Sequence, residues 1–164
     1  MNIANVFTAS RVVLAPFAYF AGFTGRKELF LTLFILGALT DGLDGLFARK
    51  FKQQSKFGDL LDTAADTVFY PSAISIYLLV PEMKGLGELF AVSVIALAAS
   101  LLYCHVQGKL AAPHPVASKA AACMVLLLVI VTLTVKFYPW LLYLTTAACL
   151  LSAFARVQSC WRAR

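Results

Sequence analysis

The sequence predicts an all-α polytopic membrane protein with six transmembrane helices and both termini in the cytoplasm. Three observations carry that expectation. Hydrophobic residues make up 61% of the 164-residue chain and charged residues 13%, against about 45–50% and about 25% in soluble domains. Six stretches approach the roughly 20 apolar residues needed to cross a bilayer. The breaks between them carry turn residues or charges.

In order, the predicted spans are 4–23, 29–49, 58–80, 87–107, 117–136 and 139–160. The first break is Gly25-Arg26-Lys27-Glu28 and the second runs from Lys50 to Lys56. The third is Pro81-Glu82-Met83-Lys84-Gly85, the fourth holds Pro113-His114-Pro115, and the fifth is marked by Pro139. That last gap is short enough to require a tight antiparallel hairpin, and Pro71 predicts a kink in the third span. No polar linker, repeat or low-complexity segment divides the chain, so residues 1–164 are expected to form one membrane domain. The first apolar run is preceded by polar Asn2 and Asn5 and interrupted by Arg11, so it is not expected to be a cleaved leader.

The net charge of +6 belongs to topology rather than to nucleic acid, because the basic residues flank apolar runs. With the N-terminus inside, ten lie on the cytoplasmic side: Arg11, Arg49, Lys50, Lys52, Lys56, Lys109, Lys119, Arg156, Arg162 and Arg164. Arg26, Lys27, Lys84 and Lys136 lie outside. Cys104, Cys123, Cys149 and Cys160 show no CxxC spacing and read as small packing residues.

The acids are arranged more tellingly. Glu28, Glu82 and Glu88 sit on or beside the outer breaks, whereas Asp41, Asp44, Asp59, Asp62 and Asp66 all fall between residues 41 and 66. One aspartate within a membrane helix costs about 2.5–3.5 kcal/mol on insertion scales, and neighbouring acids repel each other. Bound divalent cations would offset both, and Mg²⁺ or Mn²⁺ prefers carboxylate oxygen. Asp41 and Asp44 are three apart, and Asp62 and Asp66 four apart, so each pair shares a helix face. Two antiparallel neighbours would bring four carboxylates to similar depth near the inner surface, a set suited to two metal ions. Gly42, Gly45, Ala48, Gly58, Ala64 and Ala65 surround the pairs and would allow close helix approach or a flat ligand.

The segments DGLDGLFAR (41–49) and GDLLDTAAD (58–66) resemble the signature of the CDP-alcohol phosphatidyltransferase family. That signature runs D-x-x-D-G-x-x-A-R, a spacer, then G-x-x-x-D-x-x-x-D, and all eight fixed positions are met. The opening NIANVFTASRVVLAPF is similar to the first helix of members that make phosphatidylglycerol phosphate, with Ala4 where those often have proline. The resemblance implies that Asp41, Asp44, Asp62 and Asp66 bind two Mg²⁺ or Mn²⁺ ions. It further implies that Asp66 is the catalytic base, that Gly45, Ala48 and Arg49 seat the CDP moiety, and that the chain works as a homodimer. The reaction implied transfers a phosphatidyl group from CDP-diacylglycerol to a small alcohol with release of CMP, at the cytoplasmic side of a bacterial, archaeal or organelle membrane. Asp59 has no place in the signature and reads as a solvated charge.

Lys109, Lys119 and Arg156 fall at predicted cytoplasmic helix ends and would suit a phosphate on the acceptor, or else act as positive-inside anchors. A phosphate pocket favours glycerol 3-phosphate, then an inositol phosphate. Serine or choline is the alternative, the latter held by aromatic faces such as Tyr70 and Tyr103. Thr63 and Thr67 stand where enzymes making phosphatidylglycerol phosphate usually show proline and lysine. His105 and His114 lack the neighbours of a zinc site. Asn5, Thr8 and Arg11 recur on one face of the first helix, either reaching the headgroup site or anchoring at the interface. Two other classes compete: a cation transporter, which predicts acids near the midplane and a polar path through both leaflets, and a non-catalytic assembly subunit, which would not require the full signature.

Overall fold

The computed structural model describes residues 3–50, 56–107 and 116–162; within them the side chains of 3–5, 44–50, 56, 57, 59, 105, 116 and 162 fall outside the description. Every regular element among the described residues is helical. Helix α1 spans Ile3–Phe23, α2 Lys27–Lys50 and α3 Lys56–Phe69. A 3₁₀ segment, Tyr70–Ser75, leads into the single turn α4, Ile76–Leu79, and a second 3₁₀ turn, Pro81–Met83. Helices α5 (Gly87–Val106), α6 (Val116–Thr134) and α7 (Pro139–Arg162) complete the fold.

On α1, Thr8, Arg11, Ala15, Ala18 and Ala21 are buried, at the three- and four-residue spacing that defines one helix face. Small residues on that face let α2 and α3 pack against it. Gly22 continues the seam, where an added Cβ would overlap the side chain of Ser75. Gly37 on α2 likewise leaves room for the ring of Phe69. Pro16 faces outward and does not break α1. The helix ends where Gly25 turns to φ 74°. Arg26 N then donates to Ala21 O at 2.9 Å and Gly25 N to Gly22 O at 3.3 Å, which satisfies the otherwise orphaned carbonyls.

Among the described residues, four helices are long and apolar enough to cross a membrane: Val6–Phe23, Gly87–Cys104, Ala117–Thr134 and Pro139–Trp161. The segment predicted as one span over 58–80 is instead broken. Pro71 lacks the N–H needed to continue the α ladder, and the chain tightens into the 3₁₀ turn from Tyr70. Fourteen residues of α3 reach about 21 Å, so α3 alone does not cover the roughly 30 Å of a hydrocarbon core, and the segment continues through Tyr70–Ser75 and α4.

The interior is lined by Phe30, Phe34, Phe69, Phe90, Leu128, Val129 and Leu142. Helix α7 packs on α5 and α6, and α6 meets α2. Cys104, Cys149 and Cys160 are buried and Cys123 is exposed, none of them in a disulfide among the described residues, in keeping with single packing residues. Outside, Phe17, Phe23, Val92, Leu151 and Phe154 are more than half exposed. An apolar surface that extensive would drive association in water and suits contact with lipid. Near the start of α7, Lys136 Nζ lies 5.0 Å from the ring of Tyr138, beside exposed Trp140, a grouping typical of a membrane interface.

Candidate functional site

Helices α2 and α3 both lean on α1, and this packing gathers three carboxylates. One oxygen from each of Asp41, Asp62 and Asp66 lies within 4.8 Å of the others. Asp41 comes from α2; Asp62 and Asp66 are successive turns of one face of α3. Their side chains are 22–32% exposed, so the oxygens are held by the fold yet open to a ligand.

The positive charge facing them comes from α1. Arg11 is wholly buried, and its Nη1 donates to Asp41 Oδ1 at 2.8 Å and to Asp66 Oδ1. Its Nη2 donates to Asp62 Oδ1 at 2.5 Å. A planar guanidinium with several rigidly forked donors is suited to bridge three acceptors in this way. The sequence left Arg11 between a headgroup role and an interfacial anchor; full burial among three acids excludes the anchor.

Asp41 has a second partner. Tyr70 donates its hydroxyl to Asp41 Oδ2 at 2.9 Å. The tyrosine is placed by an aromatic column. Phe30 and Phe34 stack at 5.7 Å, Phe34 and Phe69 at 5.2 Å, and Phe69 meets Tyr70 edge-on at 5.8 Å. Tyr70 thus serves a carboxylate through its hydroxyl; Tyr103 is exposed.

An all-oxygen donor set with a cation already drawn into it suits Mg²⁺ or Mn²⁺. Asp41, Asp62 and Asp66 are the described residues that would hold such an ion. Asp44 lies one turn beyond Asp41 on α2, and Gly45, Ala48 and Arg49 follow it, but their side chains fall outside the described residues. Among the described residues, an added Cβ at Gly42 would meet nothing within 4 Å. Thr67 turns its hydroxyl back to Thr63 O at 2.7 Å, within its own helix.

A second cation stands on α7. Arg156 Nη2 donates to Ser118 Oγ at 2.7 Å, and Ser152 Oγ donates to the same oxygen at 3.0 Å. Ser152 and Arg156 are one turn apart on α7, and Ser118 faces them from α6. The charges of Asp62 and Asp66 are near enough to act on Arg156, yet no described carboxylate is in ion-pair contact with it. Its buried Nε has no hydrogen-bond partner among the described residues, an arrangement that costs about 1–3 kcal/mol. Lys119 is exposed beside Ser118. Lys109 and His114 lie outside the described residues, as does the side chain of His105.

Sequence reasoning did not single out Ser118 and Ser152. The i, i+4 spacing of Ser152 and Arg156 was the available signal, but only the α6–α7 packing brings Ser118 to them.

Comparison with known proteins adds to this geometry. A protein from Pectobacterium atrosepticum named CDP-diacylglycerol--glycerol-3-phosphate 3-phosphatidyltransferase is 38% identical over 76 residues, 44% of this chain and 42% of the relative. Proteins of the same name from Sodalis glossinidius and Aquifex aeolicus are 38% and 39% identical over 77 and 69 residues, covering 45% and 42% of this chain and 42% and 39% of those relatives. The matched stretch therefore spans less than half the length of these curated relatives. No solved structure matches the chain. The sequence profile of the CDP-alcohol phosphatidyltransferases matches residues 1–154, nearly the whole chain and the whole aspartate site, and the chain belongs to that family.

Proposed function

We propose that this protein transfers a phosphatidyl group from CDP-diacylglycerol to glycerol 3-phosphate, releasing CMP. The observation that carries the proposal is the convergence of Asp41, Asp62 and Asp66 from two helices. The relatives named for glycerol 3-phosphate and the charge of Arg156 support the acceptor. An inositol phosphate is the next candidate.

Asp41, Asp44, Asp62 and Asp66 would hold two Mg²⁺ or Mn²⁺ ions. Bound there, such ions neutralise the diphosphate and make CMP a better leaving group. Gly45, Ala48 and Arg49 seat the cytidine nucleotide. Asp66 takes the proton from the acceptor hydroxyl. The freed oxygen forms a bond to the lipid-side phosphorus as the bond from that phosphorus to the CMP oxygen breaks, and CMP leaves with the electron pair. Arg156, with Lys109 and Lys119, binds the phosphate of the acceptor by charge-assisted hydrogen bonds. The proposal includes six membrane crossings, both termini and the site on the cytoplasmic side, and a homodimeric working unit.

The test supplies purified protein and Mg²⁺ or Mn²⁺ with CDP-diacylglycerol and, separately, glycerol 3-phosphate, an inositol phosphate, serine and choline. CMP is expected with glycerol 3-phosphate. CMP with serine or choline alone would reassign the acceptor. Ion flux in proteoliposomes without CDP-lipid, and no CMP with any alcohol, would move the chain to transport.

A further inference from the structure

The position of Arg11 raises a question of charge. Among the described residues, three aspartates and one arginine meet in one cluster. A guanidinium and a divalent ion draw on the same three carboxylates, and two cations at contact distance repel. Arg11 and a metal ion therefore compete for this cluster.

We infer that Arg11 is a built-in placeholder for the metal. In the metal-free protein it draws the three carboxylates together and offsets part of their mutual repulsion. As a divalent ion enters, Arg11 gives up its bonds to Asp41, Asp62 and Asp66. This rests on the metal reading above and adds to it a competition between a side chain and an ion for one set of oxygens.

The geometry favours exchange over permanent bracing. The bonds to Asp41, Asp62 and Asp66 come from the two terminal nitrogens at the far end of a long side chain, so rotation of that end releases these three without moving α1. Meanwhile Tyr70 holds the other oxygen of Asp41, and the α3 backbone fixes Asp62 and Asp66 relative to each other. The carboxylates stay converged after Arg11 leaves.

A merely structural Arg11 and a placeholder make opposite predictions. If Arg11 only braced the site, its loss would weaken metal binding; if it competes, its loss strengthens it. Full-length Arg11→Met and Arg11→Gln in detergent are titrated with Mn²⁺, followed by electron paramagnetic resonance, and melted in EDTA and in saturating Mn²⁺. Both variants are expected to bind Mn²⁺ about tenfold more tightly than wild type, a typical size for coupled sites. Their melting temperature should fall in EDTA, while the rise on adding Mn²⁺ should exceed that of wild type. A variant too unstable without metal is purified in Mn²⁺ and its affinity taken by competition with a chelator. Affinity equal to or weaker than wild type in both variants would overturn the placeholder. Absence of Mn²⁺ binding to wild type and to both variants would instead overturn the metal reading.

Discussion

Two buried or half-buried arginines stand near the aspartates, and their surroundings differ. Arg11 meets three carboxylates, so its charge is answered from within the chain. Arg156 is held by the hydroxyl of Ser118, which Ser152 orients, and no described acid pairs with it. A cation steadied by neutral groups while its own charge stays available is arranged for an anion that arrives from outside. On the proposed reading, the first end of the site would hold cations and the second would receive a phosphate.

The largest effect should come from the cation end. Asp66→Asn keeps the size of the side chain but removes the base, and CMP release is expected to fall about a thousandfold, with membrane insertion and elution profile unchanged. Turnover within a few fold of wild type would take Asp66 out of that role.

Next comes the phosphate end. Arg156→Met should lower kcat/KM for glycerol 3-phosphate by about ten- to a hundredfold, as expected for about 1.5–3 kcal/mol in a hydrogen bond to a charged group. The loss should appear mainly in KM, and Arg156→Lys should restore part of it. Equal losses with a phosphorylated and an unphosphorylated acceptor would break the contrast between the two arginines.

Tyr70→Phe deletes only the hydroxyl that orients Asp41, and Mn²⁺ affinity should drop about tenfold, in the range for groups that orient metal ligands. The smallest effect is expected for Ser118→Ala, which loosens Arg156 without removing its charge. About 0.5–1.5 kcal/mol should appear as a rise of a few fold in KM for glycerol 3-phosphate, with Mn²⁺ affinity unaltered.

Much of this was legible in the chain. Apolar runs gave most of the helices, and the spacings of Asp41/Asp44 and Asp62/Asp66 put each pair on one helix face, because both depend on local periodicity. The meeting of Asp41 with Asp62 and Asp66 was expected from the short loop between two antiparallel helices. Four helices suited to crossing a bilayer, together with the family, make this an integral membrane protein. What periodicity could not give were interactions set by packing between distant segments. Arg11 lies 30 residues from Asp41 and 55 from Asp66, and its charge reads equally as an anchor until α1 is seen against α2 and α3. Ser118 and Arg156, 38 residues apart, are joined only by the α6–α7 hairpin. The α-to-3₁₀ change at Tyr70 went beyond the kink expected at Pro71, because how a chain re-forms after a proline depends on what it packs against.

The account stands on Asp41, Asp62 and Asp66 sharing metal ions, and anomalous diffraction from crystals grown with Mn²⁺ tests this directly. The expected result is a manganese peak at coordination distance from all three carboxylates, with Arg11 turned away from them. A fully loaded crystal whose manganese lies elsewhere, with Arg11 still bridging the three acids, would contradict it.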